Sequence, residues 1–240
     1  MTDGRLAKVA DPAEHLAWLS QDSTSTGWAT GHDKSGWEDS AWTLHAMWKQ
    51  ASRSRQAAPP VINGINLDDV SVDTGVPLGY VPSPGEGATR LRWAELAGRM
   101  GFRLGEGQQV PPSRRWFPIT SWPADVEPPS EGSLDETSLR ALLRILARHS
   151  ASTCYAYYAS VPSGDWDEPT LFSGPLDAIP DLVGGPDAMA ATPSNIWPAD
   201  RSWFVYTDWD LWATRVSGSR ELIAELGADP DLETVAVHRG

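Results

Sequence analysis

The sequence predicts an α+β protein, with a mixed or largely antiparallel sheet and flanking helices. Three observations favour this class. A strong helix pattern that opens at Ser133 leads directly into a strand pattern at Thr153–Val161. The stretch 200–212 alternates like a strand, and a second helix pattern follows it. With 240 residues, the chain is also long enough to bury a full hydrophobic core.

The N-terminal part, residues 1–58, is predicted to be a tryptophan-rich helical region. Asp11 followed by Pro12 is a helix start signal. Ser35 and Glu38 form a second capping box, ahead of apolar residues that are spaced as one face of a helix. This stripe consists of Trp37, Ala41, Leu44, Trp48 and Ala51. We interpret the stripe as core packing, with an aromatic ligand surface as the alternative.

Residues 59–125 form a segment that is rich in proline and glycine. We expect short strands between turns here, together with one helix, all packed on the rest of the protein. The helix pattern covers "ATRLRWAELAGRMGF" and ends at Gly101, because glycine readily takes the left-handed conformation that closes a helix.

Residues 126–240 are predicted to be an α+β region. Ser133 and Glu136 form a capping box before a helix whose apolar face consists of Leu139, Leu142, Leu143 and Leu146. A later helix is predicted over "SGSRELIAELGADP", with Gly227 as its stop, and a last strand over "LETVAV". The one cysteine, Cys154, lies in a strand pattern and is interpreted as a small buried hydrophobe.

The chain contains an internal echo. The segment "SRRWFPITSW" at 113–122 matches "DRSWFVYTDW" at 200–209 without gaps. In both places a Gly-Ser pair about ten residues later opens a helix pattern, and a strand pattern follows. One interpretation is a duplicated strand–loop–helix–strand unit. The other is chance similarity in a chain with 13 tryptophans.

The composition limits the kinds of partner. A formal net charge of −13 and a pI near 4.7 argue against nucleic acid, because phosphate binding needs a positive surface. The same acidity suits a basic protein partner. No apolar run approaches the ~20 residues that cross a bilayer, and the N-terminus shows no secretory signal. We therefore expect a cytoplasmic protein that binds neither nucleic acid nor membrane.

Asp208 and Asp210 are the first candidate site residues. If 201–212 is one strand, its first face carries core residues such as Trp203, and the opposite face holds the two aspartates about 7 Å apart. Paired carboxylates of this kind can bind a divalent metal or share acid–base work, with the nearby Arg201 completing a ligand site. Solvated carboxylates near a strand end are the alternative.

A small-anion site is the second candidate. The backbone N–H groups of Gly218, Ser219 and Arg220 would point outward from the positive end of a helix, with the Arg215 side chain close by. The alternative is ordinary helix capping by Ser217 or Ser219.

Familiar catalytic and metal motifs are absent from the sequence. The five histidines show no metal-ligand spacing, and a single cysteine cannot form a zinc cluster. The sequence also lacks a Gly-x-Ser-x-Gly elbow, a P-loop and a dinucleotide fingerprint. We therefore expect no metal and no cofactor, and the sequence points to no particular catalytic residue.

Five short motifs follow one another in the second half of the chain. They are Gly174–Leu176, Trp197–Trp203, Thr207–Asp210, Gly218–Ser219 and Leu232–Glu233. Through them, residues 126–240 resemble a family of hypothetical proteins common in actinobacteria. The resemblance implies no activity, cofactor or partner. That family often has two glycines before the second helix, whereas Ser217 and Gly218 stand there in this sequence, which weakens the phosphate-loop interpretation.

These observations favour a non-catalytic cytoplasmic protein that binds another protein, such as a toxin-neutralising immunity protein. Acidity, aromatic content and the missing catalytic motifs support this expectation. The alternative is a small-molecule-binding protein or an enzyme that uses the aspartate pair at 208 and 210 together with nearby arginines. A pocket that contains the aspartate pair and an arginine would favour the alternative.

Overall fold

A computed structural model describes residues 5–19, 32–50, 79–81, 86–104, 112–113, 116, 122–123, 125–159, 170–184, 189 and 191–237. This part of the chain is α+β with antiparallel sheets, as the sequence predicts. Within these ranges, no helix combines the length and the apolar character that a membrane span requires.

Eight of the strands form one antiparallel sheet. They are β1 (Ala7–Lys8), β2 (Asp39–Leu44), β6 (Cys154–Tyr158), β7 (Thr170–Gly174), β8 (Asn195–Pro198), β9 (Phe204–Thr207), β10 (Ala213–Gly218) and β11 (Thr234–Ala236). Their order across the sheet is β1-β7-β6-β8-β9-β10-β2-β11. The strands β3 (Met47–Lys49), β4 (Thr89–Leu91) and β5 (Val126–Glu127) form a second sheet in the order β4-β3-β5.

The helices are α1 (Ala13–Leu16), α2 (Trp93–Met100), α3 (Glu136–His149), α4 (Asp181–Gly184) and α5 (Arg220–Ala228), with a 3-10 turn at Leu176–Ala178. The predicted end of α2 is confirmed, because Gly101 is left-handed with φ of 73°. The predicted apolar face of α3 is confirmed as well, since its four leucines are buried. The predicted stop of α5 at Gly227 is wrong by one residue, because the helix includes Ala228.

The N-cap of α3 differs from the prediction. Asp135 caps the helix, and its carboxylate accepts a hydrogen bond of 3.1 Å from the Ser138 backbone N–H. Ser133, the predicted cap, lies two residues earlier, and its hydroxyl instead accepts from the Thr192 backbone N–H at 3.0 Å. Two polar residues lie close together here, and the sequence pattern selects the wrong one.

The helix predicted over the Trp37–Ala51 stripe is wrong. Residues 39–44 and 47–49 are the strands β2 and β3, and Ala51 lies outside the described residues. β2 lies between β10 and β11, and both of its faces are buried, so it lacks the alternation of a half-exposed strand. Because apolar residues are then not confined to every second position, some of them also fall at the spacing of a helix face.

β2 comes from the first predicted range, residues 1–58, yet it pairs with β10 and β11 of the 126–240 range. Beyond β2 the chain passes into β3, which pairs with β4 and β5. Most of the 113–122 echo lies outside the described residues, so the duplicated unit stays a prediction.

The large sheet has a core on each face. The helix-side core joins the sheet to α3 and α5, and it includes Leu142, Ile145, Trp203, Val205, Val216 and Leu226. The aromatic-side core covers the opposite face, and it includes Trp42, Trp93, Trp197, Phe204, Tyr206 and Trp212. Trp203 and Phe204 therefore point to opposite faces, as the strand alternation predicts.

Residues 32–38, called the crossing segment below, run over the aromatic face of the large sheet before entering β2. Asn195 of β8 binds the backbone of His32 twice, as acceptor from its N–H and as donor to its carbonyl, both at 2.9 Å. Further along, Trp37 stacks on Phe204 of β9, with ring centroids 5.2 Å apart. These contacts hold the crossing segment against β8 and β9, next to the strand β10 that carries Arg215.

Candidate functional site

Asp208 is a structural turn residue. It is 2 % exposed and follows the last residue of β9. One carboxylate oxygen accepts from the Tyr206 hydroxyl at 3.2 Å, and the other accepts from the Asp210 backbone N–H at 3.0 Å. Burial, with the charge of Asp208 next, raises the pKa of Tyr206, so this hydroxyl stays protonated and donates. The carboxylate of Asp208 thereby fixes the turn between β9 and β10.

Asp208 and Asp210 are not a pair on a strand face, and this part of the prediction is wrong. β9 ends at Thr207, so the alternation that would place the two carboxylates side by side stops before both of them. Asp208 is buried, whereas Asp210 is exposed in the turn. The structure thus separates the two aspartates by environment.

The N-terminus of α5 is capped by the protein itself. Ser219 is the N-cap, and its hydroxyl accepts from the Leu222 backbone N–H at 3.2 Å. The Arg220 backbone N–H donates to a carboxylate oxygen of Glu38 at 3.3 Å, and the Arg220 side chain lies 3.5 Å from the same carboxylate. The sequence predicts a bound anionic ligand at this helix end. The Glu38 carboxylate of the protein itself lies there instead.

Arg201 lies in the turn between β8 and β9. It is exposed and has a positive φ of 56°. Its carbonyl oxygen accepts from the Trp37 indole N–H at 3.0 Å, and its guanidinium lies 4.5 Å from the centre of the Trp18 ring. Arg201 thus holds two tryptophans of the N-terminal part near the turn.

Arg215 forms the most enclosed charged contact among the six candidate residues. Its side chain, 18 % exposed, points from β10 toward the crossing segment and binds the Asp33 carboxylate at 2.7 Å. A second guanidinium nitrogen donates to the Ser40 hydroxyl at 3.3 Å. Burial raises the pKa of Asp33, and the charge of Arg215 offsets part of this effect.

A cleft of about 390 Å³ opens beside Arg215, between the crossing segment and the adjacent strands β10 and β2. We call it the Arg215 cleft. It is lined by Ser35, Gly36, Trp37, Asp39, Ser40, Arg215 and Ser217. Of the six candidate residues, Arg215 lines this cleft, and Asp208, Asp210, Arg201, Ser219 and Arg220 do not. The sequence does not reveal the cleft, because residues 35–40 match a helix pattern and their partner on β10 is distant in sequence.

The Arg215 cleft is polar and has an aromatic wall. Its lining residues include three serines, the acidic Asp39 and the basic Arg215, and Trp37 is the aromatic residue among them. The Asp39 carboxylate accepts from the Ser40 backbone N–H at 2.8 Å, which holds it at the start of β2. A site of this size, with few polar groups on a defined scaffold, suits one small ligand or one side chain.

A second polar cluster surrounds His45, deep between the two sheets. His45 binds the Ser130 carbonyl through Nδ1 at 2.7 Å and the Thr214 hydroxyl through Nε2 at 3.1 Å, and Thr214 contacts Thr207 at 2.9 Å. Since a carbonyl only accepts, Nδ1 carries the proton and Nε2 accepts. Burial lowers the pKa of His45 to about 4. The adjacent cavity of about 10 Å³ has room for a single water, so this cluster is structural.

Cys154 is buried as the sequence predicts, and burial raises the pKa of its thiol to about 12, so it stays a protonated and unreactive thiol. Across the described ranges, histidine, cysteine and carboxylate side chains do not gather in groups of three or more that could hold a metal ion.

No protein-family model, curated protein or solved structure matches this chain. The resemblance to the actinobacterial family, carried by motifs from Gly174 to Glu233, therefore stays a prediction.

Proposed function

We propose that the chain is a non-catalytic protein that binds a basic protein partner. The observation that carries this proposal is the charge, with 32 acidic against 19 basic residues. Many acidic side chains of the described part are exposed, among them Glu14, Glu86, Glu95, Asp177 and Asp181. A surface of this sign attracts a basic partner over a distance and repels nucleic acid.

The environment of the candidate residues supports binding over catalysis. A general acid or base has to reach a substrate proton, and a nucleophile has to reach an electrophile. Asp208 is buried in turn hydrogen bonds, Ser219 caps α5, and His45 is enclosed with both ring nitrogens bound. Each of these groups has a structural role that uses its hydrogen-bonding capacity.

The alternative, a small-molecule-binding protein or an enzyme built on the aspartate pair, loses its original basis. Asp208 and Asp210 differ in burial and lie outside the Arg215 cleft. The part of the alternative that keeps support is a ligand site at Arg215, because that residue lines a cleft of about 390 Å³.

A narrower form of the proposal is a toxin-neutralising immunity protein that acts in the cytoplasm. Immunity by inhibition needs a stable complex with one partner, and complementary charge accelerates the formation of such a complex. The acidity of this chain is in keeping with that role, and a basic toxin is the partner that we propose.

The test is to recover the partner and measure its binding kinetics. Tagged full-length chain is purified from the native cells, and the protein that co-purifies in stoichiometric amount is produced separately. We expect the association rate constant to fall at least about tenfold between about 0.05 M and 0.5 M salt, because salt screens the attraction. A dissociation rate that changes far less serves as the internal control. Recovery of no stoichiometric partner, or an association rate independent of salt, would contradict the proposal.

A further inference from the structure

We propose that the Arg215 cleft receives one lysine or arginine side chain of the partner. This inference rests on the proposed function, and it specifies which chemistry the partner presents. Four arguments support it. They are the charge balance of the cleft, the position of other basic side chains outside it, its poor fit for an anion, and its lining by Trp37 and serines.

The charge balance of the cleft favours a cation. The Arg215 guanidinium is neutralised by Asp33 at 2.7 Å on the inner side, so these two charges cancel locally. At the rim, Glu38 and Arg220 lie 3.5 Å apart and balance each other. The Asp39 carboxylate then remains as the excess charge in the lining, and it attracts an ammonium or guanidinium group.

Two other basic side chains near the crossing segment, those of Lys34 and Arg201, lie outside the cleft. The Lys34 ammonium lies 5.1 Å from the centre of the Trp18 ring, and Arg201 lies over the same ring. Trp18 packs against Trp197 and Phe204, which belong to β8 and β9. The Arg215 cleft is on the β10–β2 side, so these two cations do not line it.

An anion is a poor occupant of the same cleft. Two guanidinium nitrogens of Arg215 already donate to Asp33 and to the Ser40 hydroxyl. The third, Nε, has no hydrogen-bond partner among the described residues, but it is buried and therefore out of reach of a carboxylate or phosphate in the cleft. Asp39 in the lining repels a negative group. The nearby helix end at Ser219 does not compensate, because Glu38 accepts from the Arg220 backbone N–H there.

The shape and lining of the cleft suit the long stem of a basic side chain. Trp37 lines one wall, and an indole surface packs well along the methylene groups of lysine or arginine. Ser35 and Ser217 in the lining carry hydroxyls, a group that can accept from the N–H groups at the tip of the stem, whereas the Ser40 hydroxyl already accepts from Arg215. Tryptophan and arginine are both enriched among the residues that carry most of the binding energy in protein interfaces.

The test is a titration of the full chain with single amino-acid probes, followed by NMR of the tryptophan indole N–H signals. The probes are N-acetyl-arginine methylamide and N-acetyl-lysine methylamide. N-acetyl-norleucine methylamide tests the stem without its charge, and N-acetyl-glutamate methylamide tests an anion. We expect the Trp37 indole signal to shift saturably with the cationic probes, with Kd on the order of 1 mM, as suits ligands of this size.

Three variants locate the effect. Asp39→Asn keeps the acceptor for the Ser40 backbone and removes the charge, and we expect it to weaken the cationic probes about fivefold. Ser35→Lys places a cation at an exposed lining position, and we expect it to abolish the shift. Asp210→Asn removes an exposed carboxylate at the opposite end of β10 and serves as the matched control, with no effect.

The inference is overturned if the cationic probes give no saturable shift, or if the norleucine or glutamate probe shifts Trp37 equally well. It is also overturned if folded Asp39→Asn and Ser35→Lys bind like the wild type. A basic partner that binds while the probes do not leaves the proposed function in place and removes the cleft from it. If the probes bind in the cleft and no partner is recovered, the cleft remains a site for a basic side chain, and the proposed function is contradicted.

Discussion

Arg215 and Asp33, which are 182 positions apart in the sequence, form an ion pair with 2.7 Å between their charged atoms. The contact ties the crossing segment to β10 of the large sheet, and its arginine lines the Arg215 cleft. Its energetic importance can be measured against an exposed ion pair of almost the same length. Arg99 and Asp125 lie 2.6 Å apart, with side chains that are 40 % and 37 % exposed.

Arg215→Met is expected to lower the free energy of unfolding by about 1–3 kcal/mol, because it leaves the largely buried Asp33 carboxylate without its partner. Arg99→Met is the matched control and should change stability little, because solvent screens that pair. Urea unfolding of both variants checks the contrast. Equal effects of the two substitutions would show that burial of the Asp33 pair adds nothing.

His45 predicts a loss of stability in mild acid. Burial lowers its pKa in the folded state to about 4, from 6.5 in the unfolded chain. Between these values the unfolded state binds more protons, so stability falls as the pH falls from about 6.5 to about 4. The contribution of His45 is about 3 kcal/mol at full extent.

His45→Asn keeps a donor near the Ser130 carbonyl and has no titration in this range, so the difference between variant and wild type isolates the histidine. We expect the variant to show a flatter dependence of unfolding free energy on pH between about 4 and 6.5. Gly98→Ala, which removes no titratable group, is the control and should keep the wild-type slope. A profile of His45→Asn that runs parallel to the wild type would contradict the structure.

Glu233 caps a helix that lies far from it in sequence. Its two carboxylate oxygens accept from the backbone N–H groups of Trp93 and Ala94, at 2.8 and 2.9 Å, at the start of α2. We expect Glu233→Ala to cost about 1 kcal/mol and to speed hydrogen exchange at both amides. Glu95→Ala, an exposed acidic residue in the first turn of the same helix, is the control. If the two variants exchange and unfold alike, the capping role is wrong.

Two glycines should respond to alanine in opposite directions. Gly132 has φ of 69°, and a Cβ there would lie 3.0 Å from the Trp209 Cα, so Gly132→Ala should destabilise the protein by about 1–3 kcal/mol. Gly98 lies inside α2 with nothing within 4 Å of a Cβ, so Gly98→Ala should stabilise by about 0.5–1 kcal/mol. Thermal unfolding gives both signs, and a stabilising Gly132→Ala would contradict the close approach of the two segments.

The helices α2, α3 and α5 are readable from the sequence, and the strand β2 is not. α2 and α3 carry a stop signal or an apolar stripe with solvent on the other side, which is a local pattern. β2 is buried on both faces, with Trp42 toward the aromatic-side core and Thr43 on the opposite face, so the contrast that would identify a strand is missing. Its assignment depends on β10 and β11, which lie far along the chain.

The candidate site was predictable only in part, for a similar reason. The sequence marks Arg215 as a charged residue near a glycine–serine helix start, and the structure places it in a cleft. Asp33 and Asp39 decide the charge of that cleft. They lie near Arg215 because the crossing segment runs over the sheet, and contacts between residues distant in sequence set this path. The sequence predicts a strand that includes Asp208, whereas β9 ends at Thr207, because alternation does not show where a strand ends.

The decisive measurement is the affinity of the recovered basic partner for four forms of the full chain: wild type, Asp39→Asn, Ser35→Lys and Asp210→Asn. The account predicts that Asp39→Asn weakens the complex about fivefold, that Ser35→Lys weakens it further, and that Asp210→Asn leaves it unchanged. Equal affinities for all four forms, with each variant folded as the wild type, would contradict an acidic binding protein that holds its partner at the Arg215 cleft.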